Sequence, residues 1–277
     1  MYIFDAHCDY LWMKAIGEKT QLQKNETYKK SIFAVFEGSM PDKTLIEKEI
    51  KAFYGEKPVD EAYLAFEGLS WVHSLWDLED IIKYDPVYVG PMWNNKNEFG
   101  GSAYDDMPIT IFGKCFLKEI ENNNIYIDLA HSGRKMFDSC IYNFENVIFS
   151  HGNISEIYEH PRNLKRDQVL KLINRKSFLG LTLYSGFVGA KSIEKLFEHI
   201  EYVLNLGGEK ILGFGSDLDG CENIVGKFGD VRVIDEIIEE FYKRNYSERL
   251  IKALLYKNLE YCIEKKNKKT NCSQKSR

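Results

Sequence analysis

The sequence has no apolar run approaching the roughly 18 residues that cross a bilayer. Its start, MYIFDAHCDY, has neither the basic stretch nor the apolar stretch of a secretory signal. A cytoplasmic location without a membrane partner is therefore expected. An excess of basic charge is also missing: 37 Lys and Arg stand against 42 Asp and Glu, a net charge of −5. That balance offers no global positive field to hold nucleic acid. The six cysteines, at 8, 115, 140, 221, 262 and 272, include no Cys-X-X-Cys pair, so reduced thiols are expected. There are only six prolines, no Gly/Ser-rich linker and no solenoid repeat. One α/β domain over 1–263 is expected, followed by a polar, Lys-rich tail over 264–277 (EKKNKKTNCSQKSR), which the composition predicts to be disordered.

What the chain does have is an alternation of short β-rich runs with helical patterns. The strand candidates are YIFDAH (2–7), SIFAVFE (31–37), AYLAFE (62–67), VYVGPMW (87–93), IYIDLAH (125–131), NVIFSH (146–151), SFLGLTLY (177–184) and KILGFGSD (210–217). They are nearly continuous apolar runs, the mark of strands buried on both faces of a parallel sheet. Between them, 191–206 repeats apolar residues at helical spacing (Ile193, Leu196, Phe197, Ile200, Val203, Leu204) and stops at Gly207-Gly208. Shorter helices are predicted over 45–54, 113–122 and 166–174, and two closing helices over 231–242 and 247–263. Eight strands with helical crossovers predict a (β/α)8 TIM barrel, α/β in class and single-domain, with a doubly wound open sheet as the rival that periodicity leaves open.

Barrel enzymes carry their chemistry at the C-terminal ends of the strands. Here five apolar strands finish in ionisable groups: His7 and Asp9 after the first, Glu67 after the third, His131 and His151 after the fifth and sixth, and Asp217 after the eighth. A single strand-end His or Asp is ordinarily a cap or loop residue. Three histidines with carboxylates on one rim have the donor set of a site for a borderline divalent cation. His7 and Asp9, at i and i+2, leave the same face of a strand. His73 and His199 lie in helical patterns and are expected to pack or face solvent; His160, before Pro161, is read as a loop residue.

At these positions the chain resembles the membrane (renal) dipeptidase family of zinc metallopeptidases, a branch of the amidohydrolase-like barrels. The matching segments run in the family's order: DAHCD (5–9), FEG (66–68), DLAHSG (128–133), SHGN (150–153), HPRNL (160–164) and GSDLDG (215–220). The resemblance implies the (β/α)8 barrel and two divalent metal ions, zinc in the family. It implies that His7 and Asp9 bind one ion, that Glu67 bridges both, and that His131 and His151 bind the second. Arg162 would hold the substrate carboxylate and Asp217 would be the acid/base. The reaction implied is hydrolysis of a small dipeptide by a hydroxide held between the ions, and a homodimer is in keeping with the family. Asp219 reads as turn chemistry with Gly220 and is left outside catalysis; Cys8 is expected to point away from its ligand neighbours.

One departure stands out. The mammalian members carry, after the fourth strand, a histidine that contacts the scissile carbonyl. In the matching stretch GPMWNNKNEFGG, Trp93 takes that place on the substrate wall. Indole only donates a hydrogen bond and cannot become a cation. Loss of an oxyanion donor without replacement costs about 2.7–4 kcal/mol of barrier, unless Asn94 or Asn95 supplies one. This leaves two alternatives beside the dipeptidase: a hydrolase of another small amide, such as an N-acyl amino acid or a lactam, and a catalytically decayed metal- or peptide-binding barrel.

Overall fold

Buried apolar runs become eight parallel strands in the computed structural model, which describes residues 1–39 and 42–274, the last eight of these by helical course only. The strands are β1 (Ile3–Cys8), β2 (Tyr28–Phe36), β3 (Glu61–Glu67), β4 (Tyr88–Gly90), β5 (Tyr126–Asp128), β6 (Val147–Gly152), β7 (Leu179–Leu181) and β8 (Leu212–Phe214). They hydrogen-bond in sequence order. The longest ladder joins β2 to β3, from Lys30 opposite Glu61 to Phe36 opposite Glu67. The ring closes where the chain leaving β8 meets the end of β1: Asp9 N–H donates to Leu218 O at 2.9 Å and Asp217 N–H to His7 O at 3.1 Å. The fold is the expected (β/α)8 barrel, not the open sheet.

Helices follow the strands and cover them. Ser192 caps the helix Ile193–Asn205 by accepting from Lys195 N–H at 3.1 Å, and Gly207, at φ +88°, ends it in the left-handed region. Its apolar stripe packs into one large core between sheet and helices. A second cluster collects Phe4, Ala6, Ile32, Ala65, Tyr88 and Ile148 from five different strands and meets Leu259 and Ile263 of the last helix, which plugs the lower mouth of the barrel. Truncating a ring as deep as Phe4, 1% exposed, to Ala would cost about 3–5 kcal/mol.

Several details differ from the expectation. His73 lies in irregular chain ahead of the 3-10 turn Leu75–Leu78, not in a helix. His199 lies in its helix, as expected, and is wholly buried, which settles it as a packing residue and not a surface one. The last predicted helix is broken up: Glu248–Lys252, a π turn over Ala253–Lys257, then Asn258–Gln274. That final helix crosses the boundary expected after Ile263, while 275–277 of the expected tail lie outside the described residues. Among the described residues no helix is long and apolar enough to cross a membrane.

Candidate metal centre

The six ionisable strand ends converge at the C-terminal mouth of the barrel. His7 lies near the end of β1 and Asp9 just past it, Glu67 is the last residue of β3, His151 lies in β6, and His131 and Asp217 sit just beyond β5 and β8. His7, Asp9, Glu67, His131 and His151 are all buried. His131 and Asp217 hold φ values of +64° and +63°, left-handed backbone that costs a non-glycine residue about 1–2 kcal/mol. Both side chains turn inward, into the site. Gly220 lets the loop after β8 pass beneath them; a Cβ there would overlap Asp9 Oδ2 and Asp217 Oδ1.

Glu67 stands at the centre. Its Oε2 lies 3.3 Å from His7 Nε2, and its Oε1 lies 2.7 Å from His131 Nε2 and 3.6 Å from His151 Nε2. It therefore belongs to two groups of three potential ligands, one with His7 and Asp9, the other with His131 and His151; Asp217 forms a third group with His7 and His151. Asp9 Oδ2 is 3.5 Å from His7 Nε2 and Asp217 Oδ1 is 4.0 Å from it.

The outer nitrogens of all three imidazoles are engaged. Tyr88 gives its hydroxyl hydrogen to Ala6 O at 3.0 Å, so its oxygen accepts from His7 Nδ1 at 2.8 Å. Ser150 gives its hydrogen to Asp128 Oδ2 at 2.5 Å and accepts from His151 Nδ1 at 2.8 Å. Asn94 Oδ1 lies 3.2 Å from His131 Nδ1. A proton fixed on each Nδ1 turns a bare Nε2 lone pair into the site, as metal-binding histidines require.

The inward atoms then face each other without hydrogens. His131 Nε2 and His151 Nε2 are 3.0 Å apart, and His7 Nε2 and Asp9 Oδ1 have no hydrogen-bond partner. Lone pairs at such distances need a proton or a cation between them. Burial, with Arg162 nearby, holds His131 down to about 4, and burial with the charge His7 can carry pushes His151 well below the usual range. Protons are thus disfavoured on both. Burial also opposes charge on His7, but the Tyr88 oxygen with Glu67 and Asp9 outweighs it and raises its pKa. The donor set of three imidazoles and two carboxylates fits divalent cations.

A cavity of about 490 Å³ opens above these groups. Trp93, half-buried, lies on its wall, edge-on to Phe36 at 5.0 Å, with Trp12 edge-on to the other side of Phe36 at 5.1 Å. Asn94, the neighbour expected to replace a lost donor, is instead turned to His131. Across the cavity, Arg162 is 4% exposed, makes no ion pair among the described residues, and points Nη2 at His151 Nε2 at 2.9 Å. His160, read from sequence as a bland loop residue, lines the cavity beside it and accepts Arg162 N–H at 3.2 Å. Asp219 is a loop pin: its carboxylate accepts from Thr20 Oγ1 and from Gln21 N–H. Cys8 faces the apolar core. Sequence reasoning missed Tyr88, Asp128 and Ser150 altogether.

The sequence profile of the membrane dipeptidase family (peptidase family M19) matches residues 59–277. An uncharacterised protein of the pqqA 5′ region of Klebsiella pneumoniae is 25% identical over 186 residues, covering 61% of this chain and 68% of that protein. The solved structure of dipeptidase AC, a metallopeptidase of family M19, superposes with a TM-score of 0.85 at 18% identity, over 95% of this chain and 98% of that one. A metallopeptidase from Rhodobacter sphaeroides, bound to a phosphinate mimic of the dipeptide L-Ala-D-Ala, gives 0.85 at 18%, over 95% and 99%. His7 and Asp9 precede the matched stretch, so their place in the site rests on the geometry above. With 219 of its 277 residues inside the profile, the chain belongs to the membrane dipeptidase family, peptidase family M19.

Proposed function

We propose that this protein is a two-metal dipeptidase, with zinc as the ion. His7, Asp9 and Glu67 would hold one ion, and Glu67, His131 and His151 the other. The observation that carries this reading is Glu67, whose two oxygens each face the bare Nε2 of a different histidine group. When bound, such a pair of ions supplies the Lewis acidity that polarises an amide carbonyl and makes water nucleophilic near neutral pH.

The protein's own residues do the rest. Asp217 stands at the mouth between the two groups, where burial and the negative Asp9 beside it raise its pKa well above the carboxylate range. A carboxyl so placed can take the proton of the attacking water and return it to the leaving amine. Arg162 is a buried cation without a carboxylate partner, an arrangement that is expensive unless an anion arrives. Its Nη2 hydrogen bond uses the lone pair of His151 that an ion would occupy, so loading the site releases the guanidinium for a substrate carboxylate. A carboxylate held by a guanidinium that borders His151 would restrict substrates to short peptides. Trp93 favours a second reading, an N-acyl amino acid in place of the dipeptide, because its ring cannot act as a cationic carbonyl donor.

Metal analysis alongside hydrolysis of a dipeptide and N-acyl amino acid panel, with and without chelator, tests both readings. About two ions per chain and chelator-sensitive dipeptide cleavage are expected. Turnover of acyl amino acids alone would favour the second reading, and failure to bind metal after incubation with zinc would overturn both.

A further inference from the structure

The end of the barrel opposite the metal centre holds a second cavity, of about 480 Å³, between the N-terminal ends of β5 to β8 and the final helix. Its floor is apolar, made by Val147, Phe178, Ile211 and the ring of Tyr126, and Tyr261, 67% exposed, stands at its edge. Its rim is basic. Arg175, Lys176, Lys210, Lys257 and Lys265 surround it, and Glu145 is the sole acid on the lining, so the local charge is +4 on a chain whose net charge is −5. None of these five cations makes an ion pair among the described residues, although Arg175 donates from Nη2 to Phe144 O at 2.6 Å. Lysines elsewhere on the surface do pair, as Lys171 does with Asp138 and Asp167.

Three helices, Arg134–Asn143, Arg166–Arg175 and Ile193–Asn205, end near this rim. Each C-terminus offers about half a negative charge, so together they offset about 1.5 cations and leave about 2.5. An apolar monoanion would leave most of that charge uncompensated. A bare polyphosphate would satisfy the rim and leave the apolar floor wet. A flat ring joined to several phosphates meets both demands: lysines act as point charges on phosphate oxygens, guanidinium forks onto them, and aromatic faces stack a base. The volume falls within the range of small-molecule sites, about 300–1,000 Å³. We infer that this cavity binds a nucleoside polyphosphate, clamping the final helix, which contributes Tyr261 and Lys265, onto the barrel.

The test is calorimetric titration of the full, metal-loaded chain with ATP and, separately, with tripolyphosphate. The expected result is saturable ATP binding with tripolyphosphate at least tenfold weaker. Lys210→Gln with Lys257→Gln should weaken ATP at least tenfold, and Tyr261→Ala should narrow the gap between ATP and tripolyphosphate. All three side chains are exposed, so metal content, unliganded melting temperature and amide hydrolysis should be unchanged. ATP bound equally well by the double variant would place it elsewhere, at the metal centre above all, and would overturn the inference. So would equal affinity for tripolyphosphate, or no saturable ATP binding.

Discussion

Ser150→Ala removes one oxygen atom and, on the proposed two-metal reading, should loosen one of the two ions. The Ser150 hydroxyl accepts from His151 Nδ1 at 2.8 Å and donates to Asp128 Oδ2 at 2.5 Å, all of it buried. Alanine leaves a ring N–H and a carboxylate oxygen without partners. Each such orphan costs about 1–3 kcal/mol in a dry site. Asp128 keeps Ser150 N–H at 2.7 Å and Ala130 N–H at 3.1 Å on its other oxygen, so the barrel strands stay joined. The loss falls on the tautomer and aim of His151. Removing such a support typically weakens metal affinity about 10–100-fold, or about 1.4–2.8 kcal/mol. His7 rests on a separate support, Tyr88, at 2.8 Å. Titration against a competing chelator should therefore show one ion held as in the wild type and one weakened. Tyr88→Phe should weaken the other ion instead. Equal weakening of both ions by Ser150→Ala, or no change in a folded variant, would refute the division into two groups around Glu67.

Four further outcomes follow from the same geometry. Asp217→Asn should keep both ions and lose about 10²–10⁴-fold in turnover, and near-normal turnover would remove it as the acid/base. Arg162→Ala should raise KM for dipeptides strongly while leaving metal content intact; unchanged kinetics would take Arg162 out of the substrate site. Gly220→Ala should push Asp9 and Asp217 apart and lower metal occupancy, whereas wild-type occupancy would mean the loop gives way instead. His199 is neutral in the fold, accepting Ile154 N–H at 3.1 Å and donating to Val188 O at 3.0 Å, and burial holds its pKa down from 6.5 to about 4. Below pH 6.5 the unfolded chain takes up a proton that the native state refuses, so stability falls as pH drops toward 4, by about 3 kcal/mol in all. Urea unfolding of wild type and His199→Gln across that window should show a shallower slope in the variant; parallel slopes would exclude His199 as the source.

The barrel was legible because burial on both faces writes itself as unbroken apolarity. The same signal blurred the strand ends. VYVGPMW yields only Tyr88–Gly90 as ladder, SFLGLTLY only Leu179–Leu181, and KILGFGSD only Leu212–Phe214. Phe178, Leu183 and Ile211 are just as buried as their neighbours but fall outside the strand bounds, although Phe178 O and Ile211 O still accept from Phe149 N–H and Leu179 N–H. Apolarity reports what is removed from water, not which amide finds a ladder partner, and at a barrel rim the two part company. The helix Arg134–Asn143 buries Met136, Phe137, Cys140 and Ile141, a helical spacing that was present in the sequence and overlooked. His73 sits in a helical pattern by sequence, yet Asp77 takes its N–H and that of Ser74, a capping box that starts a 3-10 turn at Leu75 and leaves His73 outside it.

The candidate ligands were legible for the opposite reason: ionisable groups that end apolar strands have no solvent to excuse them. Their supports were not, because Tyr88 reads as one more aromatic strand residue and Ser150 as a small one. A pattern was nevertheless available. Asp5 precedes His7, and Asp128 precedes His131, on strands that should tolerate no bare carboxylate. Asp5 accepts Ser216 N–H at 2.7 Å, Ser216 Oγ–H at 2.5 Å and Tyr28 OH at 2.6 Å. Asp128 accepts Ser150 N–H and Oγ–H in the same way. In each case the serine belongs to the adjoining strand end and the next residue is a site group, Asp217 after Ser216 and His151 after Ser150. Glycines keep the path open: a Cβ at Gly180 or Gly215 would collide with the Ser150 carbonyl. The buried aspartates thus lock neighbouring strand ends in register, and the register delivers Asp217 beside His7 and His151 beside His131. A carboxylate that would be unaffordable alone in the barrel wall is stable there because it accepts those hydrogens, and the precision of the metal-facing rim is what the arrangement secures.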